Sequence, residues 1–161
     1  LDWDQAGDDD AVLEPAMVVL ASHSVEEICA FDELLAEKLY ALDTREVARG
    51  VYRGQLDPDD GDQYVSSDEF LYSRCVIVAN GRDYYQEVLA DPSQAPHEME
   101  FESLLSLARS AYEAKTGAEY EHLTRVSWES FSNAEGWKPT AQTKPGAFTS
   151  GAVPPGNRRP T

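Results

Sequence analysis

The amino-acid sequence predicts an all-α fold, a compact single-domain bundle of about six helices that ends in an irregular aromatic segment. Three observations carry this. Helix-start signals recur, each a Ser or Asp with Glu or Gln three residues on. Between them, apolar residues return every three or four positions. The most strand-like stretch, Cys75-Val-Ile-Val-Ala79 with the turn signal Asn80-Gly81, is followed by Tyr84, Tyr85, Val88 and Leu89 at helical spacing, where a hairpin would need a second alternating run. With 161 residues, 42% of them hydrophobic, the chain can build one sizeable core.

Taken in order, residues 1–10 read as a loose acidic N-terminus with Trp3 as its one aromatic, held only if that ring docks. The helical domain is expected over residues 11–138. Ala11 to Ala21 suits a helix with Pro15 in its first turn, although Val18-Val-Leu20 could also form a short strand. Ser24-Val-Glu-Glu27 is a capping box that opens a helix with Ile28, Phe31, Leu34, Leu35, Leu39 and Leu42 on its apolar stripe. Asp43-Thr-Arg-Glu46 is read as another box, starting a helix with Val47, Val51 and Tyr52 that stops near Gly54. The acidic loop Asp57-Pro-Asp-Asp-Gly-Asp62 leads to a central helix, capped by Ser66 with Glu69 and closed by Gly81. At about 100° per residue, Glu69, Ser73 and Asn80 share one narrow stripe and apolar residues cover most of the remaining circumference, the pattern of a helix enclosed by its neighbours. Asp83 with Gln86 caps the next helix, which ends at Asp91-Pro92, and Pro96 to Thr116 reads as one long helix closed by Gly117. Tyr120 to Trp137 is aromatic and polar without a period, an irregular cover for the bundle. Residues 139–161, rich in Pro and Gly and without an acid, read as a disordered tail.

The balance of 30 acidic against 13 basic residues, net charge -17, argues against nucleic-acid backbones and anionic membranes as partners. An acidic surface suits a basic site on a protein partner, and it also simply keeps a chain soluble. Cys29 and Cys75 lie far apart in apolar helical patterns, which predicts two reduced core thiols and a cytoplasmic setting. No signal peptide or membrane-length apolar run is present. The first residue, Leu1, is not an initiator Met, so the native N-terminus is left open.

The residues Ser24-Val-Glu-Glu-Ile-Cys-Ala-Phe31, Ser67 to Gly81, Tyr84-Tyr85, Asp91-Pro92, Phe101-Glu-Ser-Leu-Leu105, Ala111-Tyr112, Thr116-Gly117 and Phe131-Ser-Asn133 resemble, in this order, a bacterial family known as domain of unknown function 4240. The resemblance covers roughly residues 24–137. Members often begin with a helix bearing a Phe-Trp pair, which this sequence lacks. The resemblance implies a helical fold and supplies no reaction.

Arg74 falls inside the apolar arc of the central helix, between Phe70 and Val78. An unpartnered buried guanidinium costs several kcal/mol. Three readings follow: an internal ion pair with Asp68, Asp32 or Glu102 or a set of helix-terminal carbonyls; a cleft-facing group that holds an anion bidentately; or a side chain that snorkels to water. Tyr72, Tyr85, Tyr112 and Glu102 are the further candidate ligand-binding residues beside it. Cys75 reads as a core thiol. No metal site is expected: His97-Glu98 has Phe101 where a zinc helix needs its second His, and the acidic loop fails calcium spacing, with Leu56 and Ser67 at ligand positions. No cofactor fingerprint occurs, which leans against an enzyme without deciding it. The sequence therefore supports a protein-interaction or regulatory module with an unidentified protein partner. The alternative is a small-molecule or anionic-ligand binder, or an enzyme, with a pocket near Arg74; an acidic mimic of nucleic acid is a weaker third.

Overall fold

The computed structural model of the chain describes residues 1–5, 7–59 and 63–138. Six α-helices run in order: α1 (Asp9–Ser22), α2 (Val25–Leu42), α3 (Arg45–Tyr52), α4 (Ser67–Ala79), α5 (Arg82–Ala90) and α6 (Leu107–Thr116). Short 3₁₀ turns lie at Trp3–Gln5, Pro92–Gln94 and Glu102–Ser106. No strand occurs among the described residues, where Leu56 and Gln63 form an isolated antiparallel bridge. The fold is all-α. The tail expected over 139–161 and residues 60–62 of the acidic loop lie outside the described residues.

α4 is the centre of the molecule because its apolar residues serve two cores at once. On one side Leu71, Cys75 and Val76 pack with Val12, Leu13, Leu35, Leu39, Phe101, Leu104 and Leu107. On the other, Phe70 and Ile77 pack with Leu42, Val47, Val51, Tyr85 and Val88. An all-round apolar helix needs neighbours on every side, and α4 has them in α2, α3, α5 and the Glu102–Ser106 turn. α1 lies along α6, and α2 packs against both α4 and α6.

Local chemistry explains several starts and stops, and corrects others. The α2 capping box forms as expected: Ser24 Oγ accepts from Glu27 N at 3.2 Å while Glu27 Oε2 accepts from Ser24 N at 2.9 Å. α1 starts two residues earlier than its apolar pattern, because Asp8 Oδ1 accepts from Ala11 N at 3.1 Å. Pro15 is thus interior, not first-turn, and α1 forgoes the hydrogen bond to the Ala11 carbonyl there. Val18 to Leu20 is helical. Trp3 docks on Phe101 with ring centroids 5.4 Å apart, and Asp2 N donates to the Val12 carbonyl.

Three expected caps do not form. α3 is capped by Thr44, whose Oγ1 accepts from Val47 N at 3.2 Å, which leaves Asp43 for another task. Ser66 gives α4 no side-chain cap; its backbone N and O instead bond the Tyr52 hydroxyl, both at 3.1 Å. α5 begins from Gly81 at φ 90°, also without a side-chain cap, so Asp83 sits in its first turn. The long helix expected from Pro96 to Thr116 is broken: residues 95–101 are irregular, Glu98 takes φ 54°, and a 3₁₀ turn precedes the shorter α6. Ser73 in α4 donates to the Met99 carbonyl at 2.9 Å, and Phe101 N donates to the Tyr72 carbonyl. These long-range bonds hold 99–101 against α4, and tertiary contact overrides a helical pattern there. Gly117 closes α6 in the left-handed conformation, as the sequence predicts. Beyond it, residues 118–138 form a strap without helix or strand.

Candidate functional site

Among the described residues Arg74 and Asp43 are the two charges with 0% exposure, and both fasten the strap. Arg74 Nη1 donates to the Leu39 carbonyl at 2.8 Å, one of the last-turn carbonyls of α2 that lack an intrahelical partner. Its Nη2 donates to the Trp128 carbonyl and to Ser130 Oγ, both at 2.9 Å, and the guanidinium lies 4.8 Å from the Phe70 ring centre. Among the described residues no acid bonds it directly. Asp68, Asp32 and Glu102 are engaged elsewhere or lie apart, so carbonyls, not an ion pair, hold this cation. Burial lowers its pKa, and the charge of Asp43 acts in the opposite direction. Nε carries no hydrogen bond among the described residues.

Asp43 follows α2 directly. Its Oδ1 accepts from Trp137 Nε1 at 2.8 Å and Phe131 N at 3.0 Å, and its Oδ2 from Asn133 N at 2.9 Å. Arg45 N donates to the Gly136 carbonyl at 2.9 Å, and the Arg45 guanidinium donates to the Trp137 carbonyl. Trp137 then stacks edge-on to Phe70 at 5.8 Å. Asp43 reads from sequence as a cap and not as this acceptor, although the run of donors Phe131-Ser-Asn133 signals it.

A polar cleft of about 560 Å³ opens between α2, α6 and the strap, bordered by Asp32, Glu102, Arg109, Tyr120, His122 and Trp128 among others. Asp32 Oδ2 accepts from the Tyr120 hydroxyl at 2.9 Å. Burial raises the Asp32 pKa against the effect of that bond, and burial with the same bond raises Tyr120. Next to it Glu33 accepts from His122 Nε2 at 3.0 Å and from Arg125 N at 3.1 Å and Nε at 3.2 Å. The Arg125 backbone bond, foremost, lowers the Glu33 pKa.

An apolar cleft of about 600 Å³ lies on another side of α2. Phe31, Leu34, Leu35 and Lys38 face it at the i, i+3, i+4, i+7 spacing of one helical stripe. Val78 and Ala79 from the end of α4, Arg82, Tyr85 and Gln86 from α5, Ala16 from α1, and Leu104 and Leu107 complete much of the wall. The Gly81 conformation turns the chain between α4 and α5 so that both helices reach this cleft. Leu34, read from sequence as core, is 52% exposed into it. Lys38 Nζ sits 4.8 Å from the Tyr85 ring centre, and the Tyr85 hydroxyl donates to the Lys38 carbonyl at 3.3 Å. Among the described residues neither Lys38 nor Arg82 is paired with a carboxylate, and no Asp or Glu lines the cleft.

The five sequence-predicted site residues are therefore dispersed. Arg74 is sealed under the strap, Tyr85 lines the apolar cleft, and Glu102 lines the polar cleft, where it accepts from the Tyr72 hydroxyl at 3.0 Å. Tyr112 packs on Tyr120 with ring centres 5.1 Å apart. Lys38 and Arg82 are not singled out by the sequence, although Lys38 continues the Phe31 stripe, and Leu34 is read there as core only. Cys75 is a free buried thiol, pushed up to about 12 by burial. Among the described residues no three His, Cys, Asp or Glu side chains converge to hold a metal ion, and no described helix is long and apolar enough to cross a membrane.

Searches against curated proteins and against solved structures return no match. A family model described as "Protein of unknown function (DUF4240)" matches residues 1–114. The match begins ahead of the region the resemblance suggested, taking in α1, and ends inside α6, before the strap that carries Phe131-Ser-Asn133. The chain belongs to the DUF4240 family.

Proposed function

We propose that this domain binds a small amphipathic anion in the apolar cleft beside Lys38 and Arg82. One observation carries the reading. On a chain of net charge -17, the described lining of the apolar cleft has two cationic side chains and no carboxylate. Its volume of about 600 Å³ is within the range that small-molecule sites occupy. Apolar walls would take up the ligand body, and the two cations would orient its charged end. The uncapped first turn of α5 at Gly81 adds backbone donors and a favourable dipole next to Arg82. Tyr85 belongs to this site; Arg74 does not, since its guanidinium is already spent on carbonyls.

The test uses two amphipathic anions of different shape, octanoate and 2-naphthoate, titrated calorimetrically into the whole protein. At least one binds, and the double variant Lys38→Gln, Arg82→Gln weakens it about tenfold, the scale of two partly solvated charge contacts. Failure of both anions to bind, or binding indifferent to the two cations, contradicts the proposal.

The protein-partner reading keeps support from a different observation: Val18 and Val19 are adjacent on α1 and 58% and 60% exposed. They would form part of an apolar contact for another chain. Val18→Ser, at the one of the pair that lines neither apolar cleft, would then weaken capture of that partner without changing anion binding.

A further inference from the structure

Resting on the anion-binding reading, we infer that the ligand is a linear acyl carboxylate, with its head at Lys38 and Arg82 and its tail running past Phe31 along α1. A second apolar cleft, of about 400 Å³, lies on the far side of Phe31, where Pro15, Val19, Leu20 and His23 contribute to its wall. The two clefts share Leu1, Ala16, Phe31 and Leu107 along their common border. Adjacent along that border, they would together give a linear ligand a furrow longer than a compact one needs.

Its polarity is one-sided. Both cations, Lys38 and Arg82, belong to the first cleft, while the second has no carboxylate and His23 as its one ionisable side chain. A ligand that matches this distribution carries one anionic end and a featureless apolar remainder. A two-headed anion would leave its second charge against Pro15, Val19 and Leu20 without a donor strong enough to replace water. A rigid ring system would fill the first cleft and leave the second empty. An unbranched chain can follow the bend at Phe31 and remove both apolar walls from water.

Titration of the whole protein with hexanoate, octanoate, decanoate and dodecanoate, each below its micelle concentration, tests this. Burial of each added methylene tightens binding by about fourfold until the furrow is full. Val19→Glu, a change at a 60% exposed site in a helix that accepts Glu readily, places a charge at the tail end alone. It weakens dodecanoate about tenfold or more and leaves hexanoate within about twofold, because charging an apolar contact costs more than 1.4 kcal/mol. Affinity that does not rise with chain length, or a Val19→Glu variant that affects both lengths equally, overturns the inference. If 2-naphthoate still binds in a Lys38- and Arg82-dependent way, the amphipathic-anion proposal stands and the linear ligand alone is rejected. If none of these anions binds, both fall.

Discussion

Arg74 shows how a buried charge can be structural without an ion pair. Its contacts are the end of α2 and the strap, two parts of the chain 35 and 54 residues away. Arg74→Met would leave the Leu39 and Trp128 carbonyls without their donor, and each unsatisfied buried group costs about 1–3 kcal/mol. The expected loss in urea unfolding is about 2–5 kcal/mol. Arg74→Lys does not restore it, since an ammonium lacks the fork that reaches carbonyls on two sides. Asp43→Ala removes the acceptor shared by Phe131 N, Asn133 N and Trp137 Nε1. In that variant Trp137 fluorescence shifts to the solvated value before the helices melt. Unchanged fluorescence and stability would mean that the strap is held by its aromatic rings alone.

The elements differ in how openly the chain announces them. α2 was legible to the residue because its signals are local: a capping box and an uninterrupted stripe. α4 was legible as an enclosed helix, but not which groups face Arg74, because Leu39 and Trp128 offer backbone carbonyls that no side-chain pattern reveals. The break at 95–106 was hidden for the same reason, as the bonds from Ser73 Oγ to the Met99 carbonyl and from Phe101 N to the Tyr72 carbonyl join segments remote in sequence. Gly50 is another such position. Within a helix, Gly→Ala ordinarily stabilises by about 1 kcal/mol, yet a Cβ on Gly50 of α3 would lie 1.9 Å from the Pro92 carbonyl oxygen. Gly50→Ala is therefore expected to lower the melting temperature by separating α3 from the Pro92–Gln94 turn; a rise would contradict this packing. The strap contributes a pH dependence of its own. Glu33 has a lowered pKa, so its contribution is present above its ordinary value near 4.5 and is lost as pH falls through the depressed folded value. Asp32 is raised above 3.8, so its contribution has the opposite sign, falling as pH rises through that window. Glu33→Gln should flatten the acid-side loss of stability, seen in thermal melts at a series of pH values from about 6 to about 3. An acid limb as steep as in the wild type would place the effect elsewhere.

At the scale of the whole molecule, charge and shape are distributed unevenly. The acidic excess is on the outer surface, and the sequence made it visible as a single number. Where it is missing could not be read, because an acid-free lining is assembled from α1, α2, α4, α5 and α6, no one of which is free of acids. Leu34 looked like core and is instead half-exposed cleft wall, a distinction that depends on what packs opposite it. The most direct measurement is a crystal structure of the protein grown with octanoate. The expected result is a carboxylate between Lys38 and Arg82 with its chain against Phe31 and Leu35. An octanoate bound beside Asp32 and Arg109 in the polar cleft, or an apolar cleft that stays empty at saturating ligand, would contradict it.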